Sequence, residues 1–500
     1  MITILNTPIP AFLAAYALYR IMKWYRLREL MPPGPLGLPL IGNKYQLPAI
    51  KPWKKFAEWN KEYGPVTSIF LGSTPVIVLG TAQPAWDLLE KRSDIYSSRP
   101  RFVVAGEILS DNRRGLMLPN NDAWRRWRKI LHSGFHSRQT ESYNDIQSLE
   151  SKVLLKQILD EPKGYERHIQ RFAASLAVSV TYGKRINSVD EWVVKANMEA
   201  MDLFLASISK RSLQWFRREP EMRKKDDIHF LTHLLNDVKT RMANGTIPDC
   251  LAAQSLTSIK QLGMEEIELA YAVSSPFGAG IETSCSKLSG KSVAMLHWPE
   301  VQKKAREELD MIISQDRMPD YEDKKSLPYI QAIVKETLRW RPVAVLGGSP
   351  HAVTADDVYN GMFIPKGSTV YANMYGIMKD PEMFPDPETF RPERFLETTN
   401  PRLINFDLPF GFGRRACPGI HLALNSLFIN ISRILWAFDI LPAIDEYGRQ
   451  VLPDVNNYTN GFNSRPVSFE CQLIPRNGKI KAHIEAEWEA AKVHLDQWQT

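Results

Sequence analysis

The sequence predicts a mainly α-helical fold with a minor β part. From about residue 85 to residue 340, apolar side chains recur in most segments with the 3.6-residue period of an amphipathic helix. Residues 64–80 hold two β-branched runs around Gly72-Ser73, which predicts a β-hairpin ahead of the helices. Beyond residue 343 the chain changes to short extended runs and proline-rich loops, until a strongly apolar helix begins near residue 420.

The bulk composition indicates one large domain with a tail at each end. The chain has 500 residues, of which 44% are hydrophobic, and it contains no low-complexity linker and no repeat of fixed period. Its formal charge of +7 suits an anionic membrane surface or an acidic protein partner, and ordinary solubility charge explains it equally well. Because the sequence holds no nucleic-acid recognition motif, we expect no nucleic-acid partner.

The N-terminus predicts a membrane anchor over residues 1–30. Ile2 to Tyr19 carries no charge, which gives about 18 residues, just enough to span a bilayer. Four cations follow within residues 20–28 and predict that the next domain lies on the cytoplasmic side. The alternatives are a buried helix and a cleaved signal peptide, but a signal peptide carries its cations before its apolar core.

Three further segments complete the predicted organisation. Residues 31–43 are rich in proline, which fixes φ, and we expect a stiff extended hinge there. Residues 44–500 form the globular domain. Its last part, residues 475–500, predicts an amphipathic surface helix without a catalytic role, and its apolar stripe consists of Ile480, Ile484, Trp488, Ala491, Leu495 and Trp498.

The cysteines are few and scattered. The chain has four, at Cys250, Cys285, Cys417 and Cys471, and none belongs to a C-x-x-C pair. This usage is too sparse for a disulfide framework and indicates a reducing compartment. Cys417 and His421 have i,i+4 spacing, but no second ligand pair follows nearby, which argues against a zinc cluster.

The loop around Cys417 reads LPFGFGRRACPGIH and suits a reactive thiolate. A metal-ligating cysteine must lose its proton, and a free thiol has a pKa of about 8.5. We expect Pro418 to occupy the first position of a helix, so that the sulfur faces the positive end of the helix dipole. Arg414 and Arg415 add positive charge, and the glycines let the backbone approach a flat ligand. The alternative is a glycine-rich turn with an inert cysteine.

The segment from Phe410 to Gly419 resembles the haem-ligand signature F-x-x-G-x-R-x-C-x-G of the cytochrome P-450 superfamily. The resemblance implies the P-450 fold, with haem between an oxygen-side helix and the cysteine-loop helix. It implies that Cys417 is the axial thiolate ligand of the haem iron and that Arg415 pairs with a haem propionate. Phe410 and Gly419 then belong to the cofactor site, and residues 44–500 form a haem-thiolate catalytic domain.

Three more motifs follow the order found in this family. Glu336 and Arg339 match E-x-x-R, and the resemblance implies a buried structural ion network with Arg394 of P-E-R-F, whereas an ordinary surface pair is the alternative. Trp124 and Arg128 match W-x-x-x-R and would hold haem propionates. The alternative is a solvated basic helix face, which suits Arg125, Arg126 and Lys129 better than it suits Trp124 and Arg128. His351 matches the position of a second propionate ligand.

The segment Ala279 to Thr283 matches the oxygen-side motif [AG]-G-x-[DE]-T of the same family. Pro276 lacks an N–H, neighbouring glycines favour helix weakly, and a threonine hydroxyl can bond to the carbonyl four residues earlier. We therefore expect a local opening of the helix. The resemblance implies that Glu282 supplies protons and that Thr283 relays them, whereas a helix that only bends is the alternative.

Two lysines depart from the family pattern. Lys287 and Lys291 follow on the same helix, where an apolar run is expected. Buried lysines are costly unless they are paired. We expect acidic residues of nearby helices to neutralise them, and the alternative is that they mark a slow or specialised enzyme.

The resemblance implies a monooxygenase that oxidises an apolar, bulky small molecule of the terpenoid or polyketide type with O₂. The chain has no G-x-G-x-x-G nucleotide site, so NADPH-derived electrons must come from a separate flavoprotein reductase, with a b-type cytochrome as an optional second donor. The expected location is the endoplasmic reticulum membrane, with one N-terminal span and a cytosolic catalytic domain. Two alternatives stay open: an O₂-independent haem-thiolate isomerase or dehydratase, and a non-catalytic membrane haem protein.

Overall fold

The computed structural model describes residues 8–207 and 218–496 and confirms a mainly helical fold with small sheets. Contacts between Cα atoms divide the chain into two compact units. The small unit contains the described residues up to Pro100, residues 345–380 and residues 412–415. The large unit contains residues 101–344, residues 381–411 and the chain from residue 416 onward.

The small unit is built around a four-stranded sheet. The predicted hairpin is present: Val66–Leu71 pairs antiparallel with Thr74–Leu79, and Val66 lies opposite Leu79. The second strand pairs in parallel with Thr369–Ala372, which pairs antiparallel with His351–Ala352. A separate two-stranded ribbon joins Asp357–Tyr359 and Met362–Ile364. The helices of four or more residues in this unit are Pro8–Leu30, Pro52–Tyr63, Ala82–Ala85, Ser93–Tyr96 and Met374–Ile377, with a π-helical turn at Trp86–Lys91.

One face of this sheet forms the core of the small unit. The strand side chains Ile69, Val76 and Val78 pack against Phe56 and Trp59 of the helix Pro52–Tyr63, and all five are buried. Both strands of the hairpin are buried at most positions, and successive side chains point to opposite faces, so the sheet is covered on both faces. The helix Pro52–Tyr63 covers one of them.

The predicted N-terminal anchor lies partly in the helix Pro8–Leu30, whereas residues 1–7 lie outside the described residues. Trp24 near its end is buried, and its ring lies 5.4 Å from that of Phe70. Earlier large apolar side chains, including Phe12 and Leu13, are exposed. Among the described helices, the one long and apolar enough to cross a bilayer is Ile420–Ala437, and 67% of that stretch is buried.

The large unit is a bundle of helices around the helix Glu266–His297, called the central helix below. The central helix packs along Tyr165–Tyr182 and also contacts Ile420–Ala437, called the cysteine-loop helix below. The other helices of seven or more residues are Asp122–Phe135, Asn144–Asp160, Trp192–Ser207, Arg218–Ala243, Leu251–Thr257, Pro299–Ile312, Pro328–Trp340 and Gly478–Asp496, with a π-helical segment at Val103–Leu109. A sheet of three strands, Phe438–Ile444, Gln450–Val451 and Cys471–Pro475, lies in the same unit.

The helix Gly478–Asp496, called the C-terminal helix below, docks on this bundle. Its apolar stripe packs towards Asn144–Asp160: Ala491, Leu495 and the partly buried Trp488 form a cluster with Val153. Ile480 and Ile484 are also buried, while Trp498 lies outside the described residues.

Candidate active site

Cys417 lies in the tight turn that precedes the cysteine-loop helix. Its backbone N–H donates to the carbonyl of Phe410 over 2.8 Å. Gly411 and Gly413 adopt φ values of 83° and 50°, a region that glycine enters without steric cost. A Cβ atom at Gly419 would lie 4.0 Å from the Cys417 sulfur, so the backbone passes close to the thiol. The glycines of the motif therefore shape the turn itself.

The predicted helix start at Pro418 is wrong. The cysteine-loop helix begins at Ile420 with Gly419 as its N-cap, so Pro418 still belongs to the turn. The thiol is partly buried, and burial raises the pKa of Cys417, opposed by the Gly419 N–H bond to the sulfur and by the charge of Arg128. The protein alone therefore does not lower the thiol pKa as predicted. Coordination to a metal deprotonates a thiol outright.

Arg128 is tied directly to the cysteine turn. The side chain of Asn121 caps the helix Asp122–Phe135 by accepting the N–H of Trp124 over 3.0 Å. One turn later Arg128 donates from Nη1 to the carbonyl of Ala416 over 2.7 Å, and burial lowers its pKa. Its other N–H groups have no hydrogen-bond acceptor among residues 8–207 and 218–496, so they are available for an anion. Trp124 is buried.

The central helix carries the predicted oxygen-side residues on a partly accessible stretch. Thr283 donates from its hydroxyl to the carbonyl of Ala279 over 2.7 Å, as the motif predicts. Ala279 is exposed, and most residues of the adjoining helix turns are only partly buried, whereas Phe277 and Ile281 are buried. Glu282 accepts a hydrogen bond from the side-chain amide of Asn463 over 2.7 Å. The role of Asn463 could not be predicted from the sequence, because nothing in its local sequence indicates that its loop returns to this helix.

The central helix runs without interruption from Glu266 to His297 through Pro276. The predicted local opening is therefore not a break in the helix. Gly278 is one reason why the helix is continuous here. A Cβ at this position would lie 2.9 Å from the sulfur of Met201, so the glycine lets the neighbouring helix pack closely against this stretch. Tertiary packing outweighs the weak helix propensity of proline and glycine here.

Glu336, Arg339 and Arg394 come together in a buried ion network. Arg339 makes two bonds to the Glu336 carboxylate, from Nε over 2.6 Å and from Nη2 over 2.7 Å. Arg394 donates from Nε to the same carboxylate over 3.2 Å. The same two guanidinium groups also bond to backbone: Arg339 donates from Nη1 to the carbonyl of Pro387 and Arg394 donates from Nη1 to that of Pro385, each over 2.8 Å. The network thus fastens the helix Pro328–Trp340 to an irregular loop, and it touches no candidate reacting group.

In the small unit, two predicted cofactor ligands are fixed on the segment that follows the helix Ser93–Tyr96. Arg415 donates from Nε to the carbonyl of Ser97 over 2.6 Å. His351 is buried, and its Nδ1 bonds to the carbonyl of Tyr96 over 2.8 Å, which places the ring proton on that nitrogen. Burial holds the pKa of His351 well below its usual value, so the free ring is neutral. A carboxylate beside it would favour the protonated form.

Arg99 is a further basic residue in this part of the small unit, and its role could not be predicted from the sequence. It is buried, and it donates from Nη1 to the carbonyls of Ser349 and Pro350 over 2.6 and 3.0 Å. Burial lowers its pKa to about 9, and no acidic side chain pairs with it among the described residues. A buried guanidinium without a counter-charge indicates an anionic ligand. One arginine in an irregular loop carries no recognisable sequence signal.

The expectation of acidic partners for Lys287 is wrong. Lys287 donates from Nζ to three backbone carbonyls at the end of the helix Pro328–Trp340, those of Thr337, Leu338 and Arg341, over 3.1, 3.2 and 2.8 Å. These carbonyls lack intrahelical partners, and an ammonium group complements the negative end of the helix dipole. Lys287 therefore caps that helix. Burial lowers its pKa to about 7.

Lys291 has no such compensation. It is fully buried, and its Nζ has no hydrogen-bond partner among the described residues. Burial lowers its pKa to about 7, with a smaller opposite influence from Cys471. The expected acidic partner is absent here as well, so the lysine lies uncompensated in the core.

The described residues fit haem, which combines a flat apolar ring with two propionate carboxylates. Arg128 has donors to spare beside the Cys417 turn, and Arg99 is a buried cation without a counter-charge. Ala279 and Thr283 give the central helix a partly accessible, largely apolar stretch. No group of three or more His, Cys, Asp or Glu side chains in the described ranges could hold a metal ion.

Comparison with known proteins gives the family directly. The family model described as cytochrome P450 matches residues 32–453. Cytochrome P450 monooxygenase 58 of Postia placenta is 36% identical over 477 residues, 89% of each chain. Cytochrome P450 monooxygenase virE of Hypocrea virens is 36% identical over 97% of this chain and 93% of its own length. A zebra fish cytochrome P450 solved with abiraterone aligns with a TM-score of 0.71 at 24% identity, covering 85% of this chain and all of that one, which supports the fold.

These matches extend over most of the chain and agree with its motifs. Proteins of this family bind haem through a cysteine thiolate, are generally membrane-anchored and typically receive electrons from a reductase. Named monooxygenases at about one-third identity establish the reaction class. The chain is therefore a member of the cytochrome P450 family, a fungal-type haem-thiolate monooxygenase.

Proposed function

We propose that this monooxygenase uses Cys417 as its haem ligand and oxidises an apolar, bulky small molecule with O₂ and NADPH-derived electrons. The observation that carries the proposal is the turn around Cys417. Its sulfur accepts the Gly419 N–H, and Arg128 is fixed on the neighbouring Ala416 carbonyl. Of the four cysteines, Cys417 is the one that combines a glycine-shaped turn with a spare cationic donor.

In this proposal each unit offers donors that suit a haem propionate. In the large unit these are the Arg128 guanidinium and the Trp124 indole N–H. In the small unit, taken by itself, they are the guanidinium groups of Arg99 and Arg415, and His351 once a carboxylate has favoured its protonated form. Their anchoring to backbone carbonyls supports the role, because a guanidinium that is already oriented loses less freedom when it binds a carboxylate. When bound, haem supplies the activation of dioxygen, which no protein side chain can perform.

Glu282 and Thr283 handle protons. The Thr283 hydroxyl donates its hydrogen to the Ala279 carbonyl. Its oxygen can therefore still accept a hydrogen bond from a proton donor. Glu282 precedes it on a partly exposed part of the helix, where the carboxylate can exchange protons with solvent. Asn463 holds that carboxylate in one orientation. The pair therefore forms a short route from solvent towards the oxygen side.

The substrate class is argued from the side chains around the oxygen side of the large unit. Ala105, Leu109, Met117 and Phe204 form a buried apolar cluster beside the central helix. Arg114 lies against the Phe204 ring, but its charge is already paired with Asp227 over 2.5 Å. Because no cation in this cluster lacks a counter-charge, an apolar molecule of the terpenoid or polyketide type fits better than an anion.

The electron source and location follow from the same proposal. The sequence has no G-x-G-x-x-G nucleotide site, so a flavoprotein reductase delivers electrons, with a b-type cytochrome as an optional donor. Residues 1–30 anchor the enzyme in the endoplasmic reticulum membrane, with residues 44–500 in the cytosol. The exposed aromatic and apolar side chains of the helix Pro8–Leu30 support the anchor.

The experiment supplies full-length enzyme, reductase and NADPH to a panel of apolar terpenoids and polyketides, under air and under argon. We expect products that are heavier by one oxygen atom and that form under air but not under argon. When isotopically heavy O₂ is supplied, the added oxygen atom should carry the label. Products that form equally under argon would favour the O₂-independent isomerase or dehydratase. Label from water in place of dioxygen would contradict the monooxygenase route for that product.

A further inference from the structure

The large unit contains a cavity of about 230 Å³ beneath the C-terminal helix. Its walls come from Asn144–Asp160, Tyr165–Tyr182, the loop after the latter and the C-terminal helix. The lining residues are Val153, Gln157, Arg171, Arg185, Asn187, Trp488, Lys492 and Leu495. None of them belongs to the oxygen side, the Cys417 turn or the Glu336 network.

Two buried arginines on the cavity wall share one buried carboxylate. Glu150 is fully buried and accepts from Arg171 Nη1 and from Arg185 Nε, the latter over 2.6 Å, and it also accepts the Ser175 hydroxyl. Both guanidinium side chains are at most 4% exposed. Glu150 can neutralise one of these charges, so the buried cluster retains a net positive charge.

Arg185 presents unused donors to the cavity. Its Nε bonds to Glu150 and its Nη1 bonds to the Asn187 side-chain oxygen over 3.3 Å, but its Nη2 has no acceptor among the described residues. The Arg185 side chain is only 4% exposed, and the small part that solvent reaches faces the cavity. A bound acceptor would therefore complete the hydrogen bonding of this guanidinium.

The arginines also fix the polarity of the neighbouring amides. Gln157 accepts Arg171 Nε through its side-chain oxygen over 2.8 Å, and Asn187 accepts Arg185 in the same way. Because a guanidinium has no acceptor atoms, each amide must turn its oxygen to the arginine and keep its NH₂ group free. Neither NH₂ group has an acceptor in the described parts of the chain. The polar side of the cavity is therefore a set of donors.

The remaining lining residues complete an amphipathic site. Lys492 is exposed at the rim and pairs with no acid among the described residues. Val153, Leu495 and Trp488 form an apolar wall opposite the donors. Two acids near the cavity have their own partners: Glu487 pairs with Lys152 over 2.6 Å, and Glu191 accepts backbone N–H groups.

We propose that this cavity binds a small organic carboxylate whose short apolar part lies against Trp488 and Leu495. The carboxylate accepts from Arg185 Nη2 and the two amides, and Lys492 closes the rim. The ligand then joins the C-terminal helix to the two helices beneath it. This site is independent of the haem site and of the substrate that the enzyme oxidises.

The test is a calorimetric titration of the full-length, haem-loaded enzyme with hexanoate, acetate and chloride at matched ionic strength. We expect hexanoate to bind with one site per chain, more tightly than acetate, while chloride gives no saturable heat. Lys492→Glu places a negative charge at the rim and should weaken hexanoate binding at least about tenfold. Asn187→Asp, at the other exposed edge, should weaken it comparably.

The matched control is Lys481→Glu, which makes the same charge change on an exposed residue of the same helix outside the cavity. It should bind hexanoate as the wild type does. Equal weakening by both lysine variants would overturn the proposal, because it would indicate a general charge effect. Binding that shifts the haem spin state and is insensitive to Lys492→Glu would also overturn it, because hexanoate would then occupy the haem site.

Discussion

The side-chain amide of Asn463 donates to Glu282 Oε2 over 2.7 Å and so ties a loop near the end of the chain to the centre of the longest helix. The two residues are 181 positions apart. Glu282 stands next to Thr283, whose hydroxyl is itself fixed on the Ala279 carbonyl. The proposed proton donor and relay are therefore both held in place, the first by a distant loop and the second by its own helix.

Asn463→Leu should uncouple the reaction. Without the amide the Glu282 carboxylate loses the hydrogen bond that Asn463 donates and samples other rotamers, so fewer turnovers receive their protons. We expect the ratio of product to NADPH consumed to fall several-fold, less than the roughly 10²–10⁴-fold of a positioned proton-transfer group, because Glu282 itself is kept. The substrate-induced spin shift should be unchanged. Asn456→Leu, an exposed residue of the same segment, should leave the ratio unchanged. Equal losses in both variants would refute the positioning role.

Thr283→Ala should divert NADPH to peroxide. The substitution removes the relay hydroxyl while the helix continues. We expect a roughly tenfold lower product yield per NADPH, less than the roughly 10²–10⁴-fold of a full general acid–base contribution, because Glu282 is kept. Ser286→Ala is the matched control, since Ser286 makes the same kind of bond, from its hydroxyl to the Glu282 carbonyl over 2.6 Å. Peroxide and product are measured together. Normal coupling in Thr283→Ala would rule out the relay.

Glu336→Gln should strongly destabilise the fold. It leaves two buried guanidinium groups without their counter-charge, and breaking a buried pair costs about 3–5 kcal/mol in free energy of unfolding. Urea titration followed by far-UV circular dichroism measures the change. Glu307→Gln breaks the exposed pair with Lys303 and should cost less than about 1 kcal/mol. A cost for Glu336→Gln no larger than that of the control would contradict the structural role.

Lys291→Met should stabilise the protein at neutral pH. The folded protein holds the pKa of Lys291 near 7, whereas an unfolded lysine titrates near about 10.4. Between these values the unfolded state binds more protons, so the stability of the wild type rises with pH across that window. The advantage of Lys291→Met is therefore largest at and below pH 7, on the order of 4–5 kcal/mol, and shrinks towards pH 10.

Thermal midpoints at a series of pH values between these limits check this prediction. Lys303→Met is the control, because Lys303 is exposed and its loss should shift the midpoint equally at every pH. An advantage of Lys291→Met that does not change with pH would show that the lysine is not deprotonated by burial.

Motif spacing predicted the contacts between residues that lie close together in the sequence. Phe410, Cys417 and Gly419 lie in one turn whose backbone bond and positive φ values follow from the glycine positions. Thr283 and Ala279 are four residues apart on a helix, so their hydrogen bond could be predicted from the sequence. The helix start failed by two residues because Gly419, not Pro418, governs where the turn ends.

Long-range partners could not be predicted in this way. Asn463 and Arg99 owe their roles to loops that return to distant segments, and neither loop has a periodic or motif signal. The sequence shows that Lys287 is unusual, but it does not show which groups bind it. Its partners are backbone carbonyls, and because every residue has one, the sequence cannot indicate which of them are close. Contacts made by backbone atoms across the fold require the structure.

The most direct test of the account is the absorption spectrum of the reduced, CO-bound enzyme after haem supplementation, for wild type, Cys417→Ser and Cys285→Ser. We predict that wild type and Cys285→Ser show the red-shifted Soret band of thiolate-ligated haem and that Cys417→Ser lacks it. A thiolate band that survives in Cys417→Ser, or that disappears in Cys285→Ser alone, would contradict the assignment of Cys417 as the iron ligand.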